Sequence, residues 1–240
     1  MKNTFFDLVE QTFYFPQEGF DLHGDYLKFH GVSIKYLIEK YETPFRLIYL
    51  PRIGEQIKRA RNLFKRAMKK YNYSGHYHFC YCTKCCHFHH VVSAAMKHNV
   101  NLETSSSFDI DLILKLYEKK ELNKTCIIVH NGYKTDDYIQ KIIMLQDKGF
   151  KSSVIILDSV YELDRLLHFA SGRKVKIGLR MAIDEEPQSA YYTSRLGIRP
   201  SELANFFREK IRDNPNVEFE MLHFFVDSGI RDTLYYLSLI

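Results

Sequence analysis

A lysine that follows an alternating apolar run and precedes a helical pattern stands where an amine can become reactive. The stretch Tyr77-His-Phe-Cys-Tyr-Cys-Thr-Lys84-Cys-Cys-His-Phe-His-His90 has that arrangement. With residues 77–82 as a buried strand, Lys84 falls just past its C-terminal end, where barrel enzymes gather their reactive groups. A partly apolar pocket lowers the pKa of an ammonium and exposes its lone pair to an aldehyde, so the chemistry would be imine formation. A solvated loop lysine is the plain alternative, since lysines are mostly exposed. The same stretch also reads as a thiolate–imidazole metal cluster of Cys80, Cys82, Cys85, Cys86, His87, His89 and His90. Against that, Cys82-x-x-Cys85 has no second ligand pair at finger-like spacing. On a strand Cys80 and Cys82 share one face and Phe79 and Thr83 the other, so burial as small apolar side chains accounts for the cysteines more simply, and no metal site is expected.

The elements that would position Lys84 follow from the pattern on either side of it. Residues 26–31 read as a strand, 33–41 as a helix capped by Ser33, and 45–50 as a strand-like run after Thr43-Pro44. A basic amphipathic helix spans 53–71. Then strands at 77–82, 100–104, 126–130, 153–157, 175–181 and 217–225 alternate with helices at 87–98, 108–118, 136–148, 161–169 and 200–212. One helix between successive strands is what parallel βα units require. The spacing predicts an α/β chain with six strands of a barrel that needs eight, incomplete at its C-terminus. Residues 1–44 are expected to form an N-terminal extension, opening on a helix-like segment, and 45–240 the barrel domain.

At 240 residues, 45% hydrophobic and 26% charged, the chain can bury a substantial core. It has no run of about 18 apolar residues and no signal-peptide pattern at its start. Five cysteines, four crowded between 80 and 86, argue against a disulfide framework and for a reducing cytoplasm. The net charge of +5 is mild. Lys58, Arg59, Arg61, Lys65, Arg66, Lys69 and Lys70 lie at helical spacing beside Ile57, Leu63, Phe64 and Met68, which reads as a solvated helix face; neither nucleic acid nor membrane is an expected partner.

If the strands are parallel, the residues just beyond them share one rim. It would collect Lys84, Glu103-Thr-Ser-Ser-Ser107, His130-Asn131-Gly132, Asp158-Ser159, Arg180 and Asp227-Ser228-Gly229. Such a set suits an anionic ligand carrying phosphate and carboxylate groups. For Ser107 and Asp158 a helix-capping role is the simpler expectation.

These residues carry a resemblance. Leu27-Lys-Phe-His-Gly-Val32, Tyr41-Glu-Thr-Pro-Phe45, Tyr81-Cys-Thr-Lys84-Cys-Cys86, Asp158-Ser-Val-Tyr-Glu162-Leu, Ile177-Gly-Leu-Arg-Met181, Ser194-Arg-Leu-Gly197 and Leu222-His-Phe-Phe-Val-Asp-Ser-Gly229 are similar to the fold-type III pyridoxal-phosphate decarboxylases. That family acts on ornithine, diaminopimelate or arginine and shares its (β/α)8 barrel with alanine racemase; the chain looks most like the N-terminal portion of its biosynthetic arginine branch. The resemblance implies pyridoxal 5′-phosphate as cofactor, with Lys84 its covalent anchor. It also implies that Glu103, with Ser105 and Ser106, matches the acidic residue and polar turn after the next strand, that Asp109 takes the place of a glutamate, that Arg180 lies near the cofactor's phenolic oxygen, and that Ser228 contacts its phosphate. The family commonly has H-x-G-S at the last strand, where this chain has Phe225-Val-Asp227-Ser228. Phe225 can stack on the ring but supplies no proton, and His223, on the same strand face, is the candidate substitute.

The implied reaction is decarboxylation of an amino acid in a homo-oligomeric enzyme, arginine to agmatine in polyamine biosynthesis. The resemblance further implies that the glycine-rich phosphate loop, the acidic partner of the pyridine nitrogen and a C-terminal β-domain follow residue 240 in relatives, so that this polypeptide alone is inactive. A diaminopimelate or ornithine decarboxylase-like enzyme, a non-catalytic partner subunit and a racemase are the alternatives.

Overall fold

The computed structural model describes residues 19–24, 26–182 and 196–225. The chain divides into two compact units, Met1–Tyr49 and Leu50–Ile240. In the first, strands β1 (Phe20–His23), β2 (Tyr26–Phe29) and β3 (Val32–Ser33) form an antiparallel sheet, followed by helix α1 (Ile34–Tyr41). Ser33 caps α1, its hydroxyl accepting from the Tyr36 N–H at 3.3 Å. Residues 45–49 are outside any sheet, contrary to the strand expected at 45–50: the run is apolar enough for a strand but pairs with none. The expected opening helix lies outside the described residues.

The second unit opens on α2 (Pro51–Lys70), with Pro51 in its first turn, where the missing N–H costs nothing. Six parallel strands follow in the spatial order β4 (Cys80–Cys82), β5 (Asn101–Thr104), β6 (Ile128–His130), β7 (Ser153–Leu157), β8 (Val175–Arg180) and β9 (Val217–His223). Between them run α3 (His89–Met96), α4 (Ser107–Glu118), α5 (Asp136–Asp147), α6 (Glu162–Ala170) and α7 (Pro200–Phe206), the last widening into an i→i+5 turn over Phe207–Ile211. This is the α/β, βα-repeating arrangement expected of an incomplete barrel.

Alternation along each strand sends side chains to two different environments. Leu102, Ile128, Ile155, Leu157, Ile177 and Leu179 join Ile110, Ile113, Ile139, Ile142 and Leu166 of the helices in one continuous core. Fully burying a side chain such as Ile155 stabilises the fold by about 1.5–3 kcal/mol. On the opposite face Val129, Val154 and Ile156 cluster with Cys80, Ile127 and Met221, with no helix residue among them. That face is the interior of the barrel arc.

Candidate functional site

Lys84 owes its place to the residue before it. Thr83 is fully buried, and both its N–H (2.9 Å) and its hydroxyl (3.0 Å) donate to the Glu103 carbonyl, while the Cys85 N–H bonds back to Cys82 O at 3.2 Å. The chain therefore turns at Lys84 immediately beyond β4. The side chain is exposed rather than enclosed, and its apolar neighbour is the ring of Phe225, 5.5 Å from Nζ to the centroid. The Arg180 guanidinium lies 5.7 Å from the same ring. In a flat sheet, strands β4 and β9 would be about 24 Å apart. Groups just beyond the two outermost strands meet only because the sheet curls toward closure.

One polar residue from nearly every strand joins them on the interior face. Asn131, just past β6, donates its Nδ2 to Glu103 Oε1 at 3.0 Å, and Cys82 Sγ is 3.7 Å from the same oxygen. Arg180 Nη1 lies 3.5 Å from Asp158 Oδ1, a pair almost wholly buried. Arg180 stands in register with His223, and the Met181 N–H donates to the His223 carbonyl at 2.8 Å. Burial holds the His223 imidazole below its ordinary pKa, with the Arg180 charge adding to the effect and Glu103 opposing it. Beside Lys84 a cleft of ≈ 710 Å³ opens between the loops after β4 and β5, lined by Lys84, His87, Ser105, Ser106, Phe108 and Lys115 among others.

Three rim expectations are corrected. His130 is the last residue of β6 but faces the helices, fully buried, with Nδ1 2.8 Å from Thr104 Oγ1 and its ring edge-on to Tyr138; the alternation that turns His130 outward turns Asn131 inward. Ser107 does not cap α4: the Asp109 carboxylate reaches back to accept the N–H groups of Ser105 (2.8 Å) and Ser106 (3.0 Å). Asp158 is no cap either, because its carboxylate faces Arg180 and α6 begins only at Glu162. Among the described residues, no group of three His, Cys, Asp or Glu side chains is placed to hold a metal ion. Cys80 and Cys82 are half-buried on the interior face, whereas Cys85 is exposed. Ser194, Arg195, Asp227, Ser228 and Gly229 lie outside the described residues.

Sequence reasoning missed a buried pair beneath this face. Lys134, 1% exposed, donates its Nζ to the carbonyls of Gly132 and Ile156 and lies 4.0 Å from Glu162 Oε2. Glu162 accepts the N–H of Lys134 (3.2 Å) and that of Asp158 (2.7 Å). Burial lowers the Lys134 pKa and raises that of Glu162, and each charge opposes the shift of the other. The signal was a lysine in the loop after one strand and a glutamate opening the helix after the next, which only the parallel fold makes neighbours.

Residues 54–240 match the pyridoxal binding domain of the pyridoxal-dependent decarboxylases. Similar curated proteins include the biosynthetic arginine decarboxylase of Parasynechococcus marenigrum, 25% identical over 191 residues that cover 75% of this chain and 29% of that protein. Another is biosynthetic arginine decarboxylase 2 of a Synechocystis species, 22% identical over 210 residues covering 80% and 32%. The chain thus spans about a third of the length of these relatives. Among solved structures, the diaminopimelate decarboxylase of M. jannaschii superposes with a TM-score of 0.75 at 17% identity, over 92% of this chain and 50% of that one. The biosynthetic arginine decarboxylase of Campylobacter jejuni does so with 0.61 at 21%, over 86% and 35%.

Proposed function

The chain belongs to the pyridoxal-dependent decarboxylases through their pyridoxal binding domain, and from that premise we propose that its interior face holds the cofactor of an enzyme converting arginine to agmatine. Pyridoxal 5′-phosphate is the cofactor of the family, and the residues here suit it. Asn131 Oδ1, both Asp158 carboxylate oxygens and His223 Nδ1 are buried without a hydrogen-bond partner within the protein. Buried polar atoms are nearly always partnered; here Asp158 and His223 flank Arg180, and Asn131 stands beside Glu103 on the same face. A planar, anionic, polar-edged group matches such a set.

In this reading Lys84 anchors the cofactor through its ε-nitrogen, Arg180 faces the phenolic oxygen, and Ser228 takes the phosphate. Phe225 offers an aromatic face and a seat for two cations, but no proton. His223 supplies the hydrogen-bonding nitrogen that Phe225 lacks, and its depressed pKa keeps it neutral, so that it can accept or donate at that atom. Glu103, steadied by Asn131, closes the set between β4 and β6. When bound, pyridoxal 5′-phosphate supplies the electron sink that accepts charge from the α-carbon as carbon dioxide leaves. The arginine assignment draws on the names of the curated relatives.

The single observation that carries the reading is that Lys84, just beyond β4 at one end of the arc, and Arg180, at the end of β8, both face the ring of Phe225, just beyond β9 at the other end. Borohydride reduction of cofactor-loaded protein, followed by peptide mass spectrometry, is expected to leave the phosphopyridoxyl tag on Lys84. A tag on another lysine, or retention of the tag by Lys84→Ala, would refute it. Carbon dioxide release from arginine, ornithine and diaminopimelate in parallel, assayed in a polypeptide that spans the full length of the curated relatives, tests the substrate; faster release from ornithine or diaminopimelate would refute the arginine assignment.

A further inference from the structure

Two buried cations and two buried carboxylates lie in one file under the interior face: Lys134, Glu162, Asp158 and Arg180. The outer two, Arg180 and Asp158, belong to the site described above. Lys134 and Glu162 do not reach it, yet they touch the loops that carry it. The Lys134 ammonium holds Gly132 O, next to Asn131, and Ile156 O, two residues before Asp158. The Glu162 carboxylate holds the Asp158 N–H on one oxygen and the Lys134 N–H on the other. Two of these four bonds, Lys134 Nζ to the Ile156 carbonyl and the Lys134 N–H to Glu162, tie the loop after β6 to the end of β7 and the start of α6, and the other two brace each segment internally.

A buried ion pair is weak evidence of a role in stability, because desolvating both charges offsets most of their attraction and apolar replacements are often neutral. What such a pair does provide is geometry: two of the ammonium's three N–H donors and both carboxylate oxygens are used by backbone groups of these two segments. We propose that Lys134 and Glu162 are positioning residues for the cofactor site, clamping the two loops so that Asn131 meets Glu103 and Asp158 meets Arg180. The inference rests on the function proposed above. Gly132 belongs to the same clamp: its φ is +77°, and a Cβ there would meet the Ser105 carbonyl at 2.4 Å, so the loop after β6 passes the loop after β5 at backbone contact.

The test compares wild type, Glu162→Gln, the charge-free pair Lys134→Met/Glu162→Gln, and Ile155→Val, a core control on the opposite sheet face. Glutamine offers one acceptor oxygen where the carboxylate offers two, so Glu162→Gln releases one of the two amides without adding bulk. Pyridoxal-phosphate affinity, measured by fluorescence titration at a temperature where every variant compared is folded, is expected to fall about tenfold or more in Glu162→Gln and to change less than about twofold in Ile155→Val. Lys134→Met/Glu162→Gln is expected to match or exceed the loss; should it not fold, Glu162→Gln still decides. Affinity within twofold of wild type in Glu162→Gln, or an equal loss in the core control, overturns the inference. Amide exchange in cofactor-free Glu162→Gln reads the clamp without the ligand: faster exchange than in wild type at whichever of the Lys134 and Asp158 amides has lost its acceptor is expected, and unchanged exchange at both sinks it. A wild-type protein that binds no cofactor counts against the proposed function instead, with the exchange result still deciding the clamp.

Discussion

Acidification should destabilise this protein through one imidazole that touches no ligand. His130 is completely buried on the helix-facing side of β6, and burial, with the Lys134 charge adding to it, pushes its pKa from 6.5 down to about 3. A depressed base binds its proton more readily when unfolded, so the stability it contributes is fully present above 6.5 and is lost as pH falls from 6.5 toward 3. At pH 4.5 the unfolded histidine is protonated and the folded one is not; two pH units below 6.5, at about 1.4 kcal/mol per unit, the loss is about 2–3 kcal/mol. The neutral ring has a place in the fold, because Thr104 Oγ1 lies 2.8 Å from His130 Nδ1 and 2.5 Å from Tyr138 Oη, a relay of hydroxyls ending on an imidazole nitrogen. The assay is urea unfolding at pH 7 and pH 4.5, followed by tyrosine fluorescence, since the chain has 17 tyrosines and no tryptophan. His130→Gln is compared with wild type so that carboxylates and His223, which also respond to acid, cancel. Wild type should lose about 2–3 kcal/mol more than the variant between the two pH values. Equal losses in the two proteins would show that His130 is already charged or already exposed.

Three further outcomes follow from the same geometry. Phe225→Leu removes the ring beneath two cations, each contact being worth about 0.5–1 kcal/mol at an exposed site; cofactor affinity should fall roughly fivefold and recover in Phe225→Tyr, as read by fluorescence titration. Gly132→Ala should lower the melting temperature by about 3–10 °C, since the positive φ and a 2.4 Å approach to Ser105 O together cost about 1–3 kcal/mol. Gly172→Ala, with φ +79° but nothing within 4 Å of the added carbon, should cost less by calorimetry. Iodoacetamide at pH 8 should label exposed Cys85 ahead of Cys80, whose thiol burial pushes up to about 12, and ahead of Cys82 and Cys126, raised to about 11, with peptide mapping as the readout.

How far the fold could be read from the chain depended on where one strand meets another. The βα spacing revealed six parallel strands because each apolar run is followed by one helix and the intervals admit nothing tighter. Strand ends were less legible, since a partner sets them: β4 was expected from Tyr77 but begins at Cys80, opposite Asn101, where β5 starts. Residues 45–50 have a strand's composition and no partner at all. The site was legible to the extent that it lies at strand ends. Lys84, Glu103, Arg180, His223 and Phe225 do come to one interior face and its mouth, yet strand ends alone could not say that His130 turns away, because that follows from the register pairing Glu103 with Val129. Glu162 stood out in the sequence as part of Asp158-Ser-Val-Tyr-Glu162-Leu, but Lys134 and its pairing with Glu162 did not, for a different reason: 28 residues separate the two, and their bonded partners are largely backbone groups, which leave no mark on residue type.

The two faces of the sheet treat ionisable groups differently, and that difference explains where charge can reside. The outer face is sealed by helices, so a group placed there has neither water nor a counter-ion: His130 is driven neutral, and burial raises the Tyr138 hydroxyl far beyond its ordinary range. At the strand ends burial is met by pairing instead, Arg180 with Asp158 on the interior face and Lys134 with Glu162 beneath it, where each charge opposes the shift toward neutrality that burial imposes on the other. Removing one member of such a pair leaves the other buried and unmatched, typically at about 3–5 kcal/mol. A shift of one residue in β8 would exchange the two populations along that strand, putting Arg180 into the dry layer and the aliphatic Leu179 on the interior face. The alternation that builds the core is therefore the same constraint that keeps Arg180 and its carboxylate facing the ring shared with Lys84.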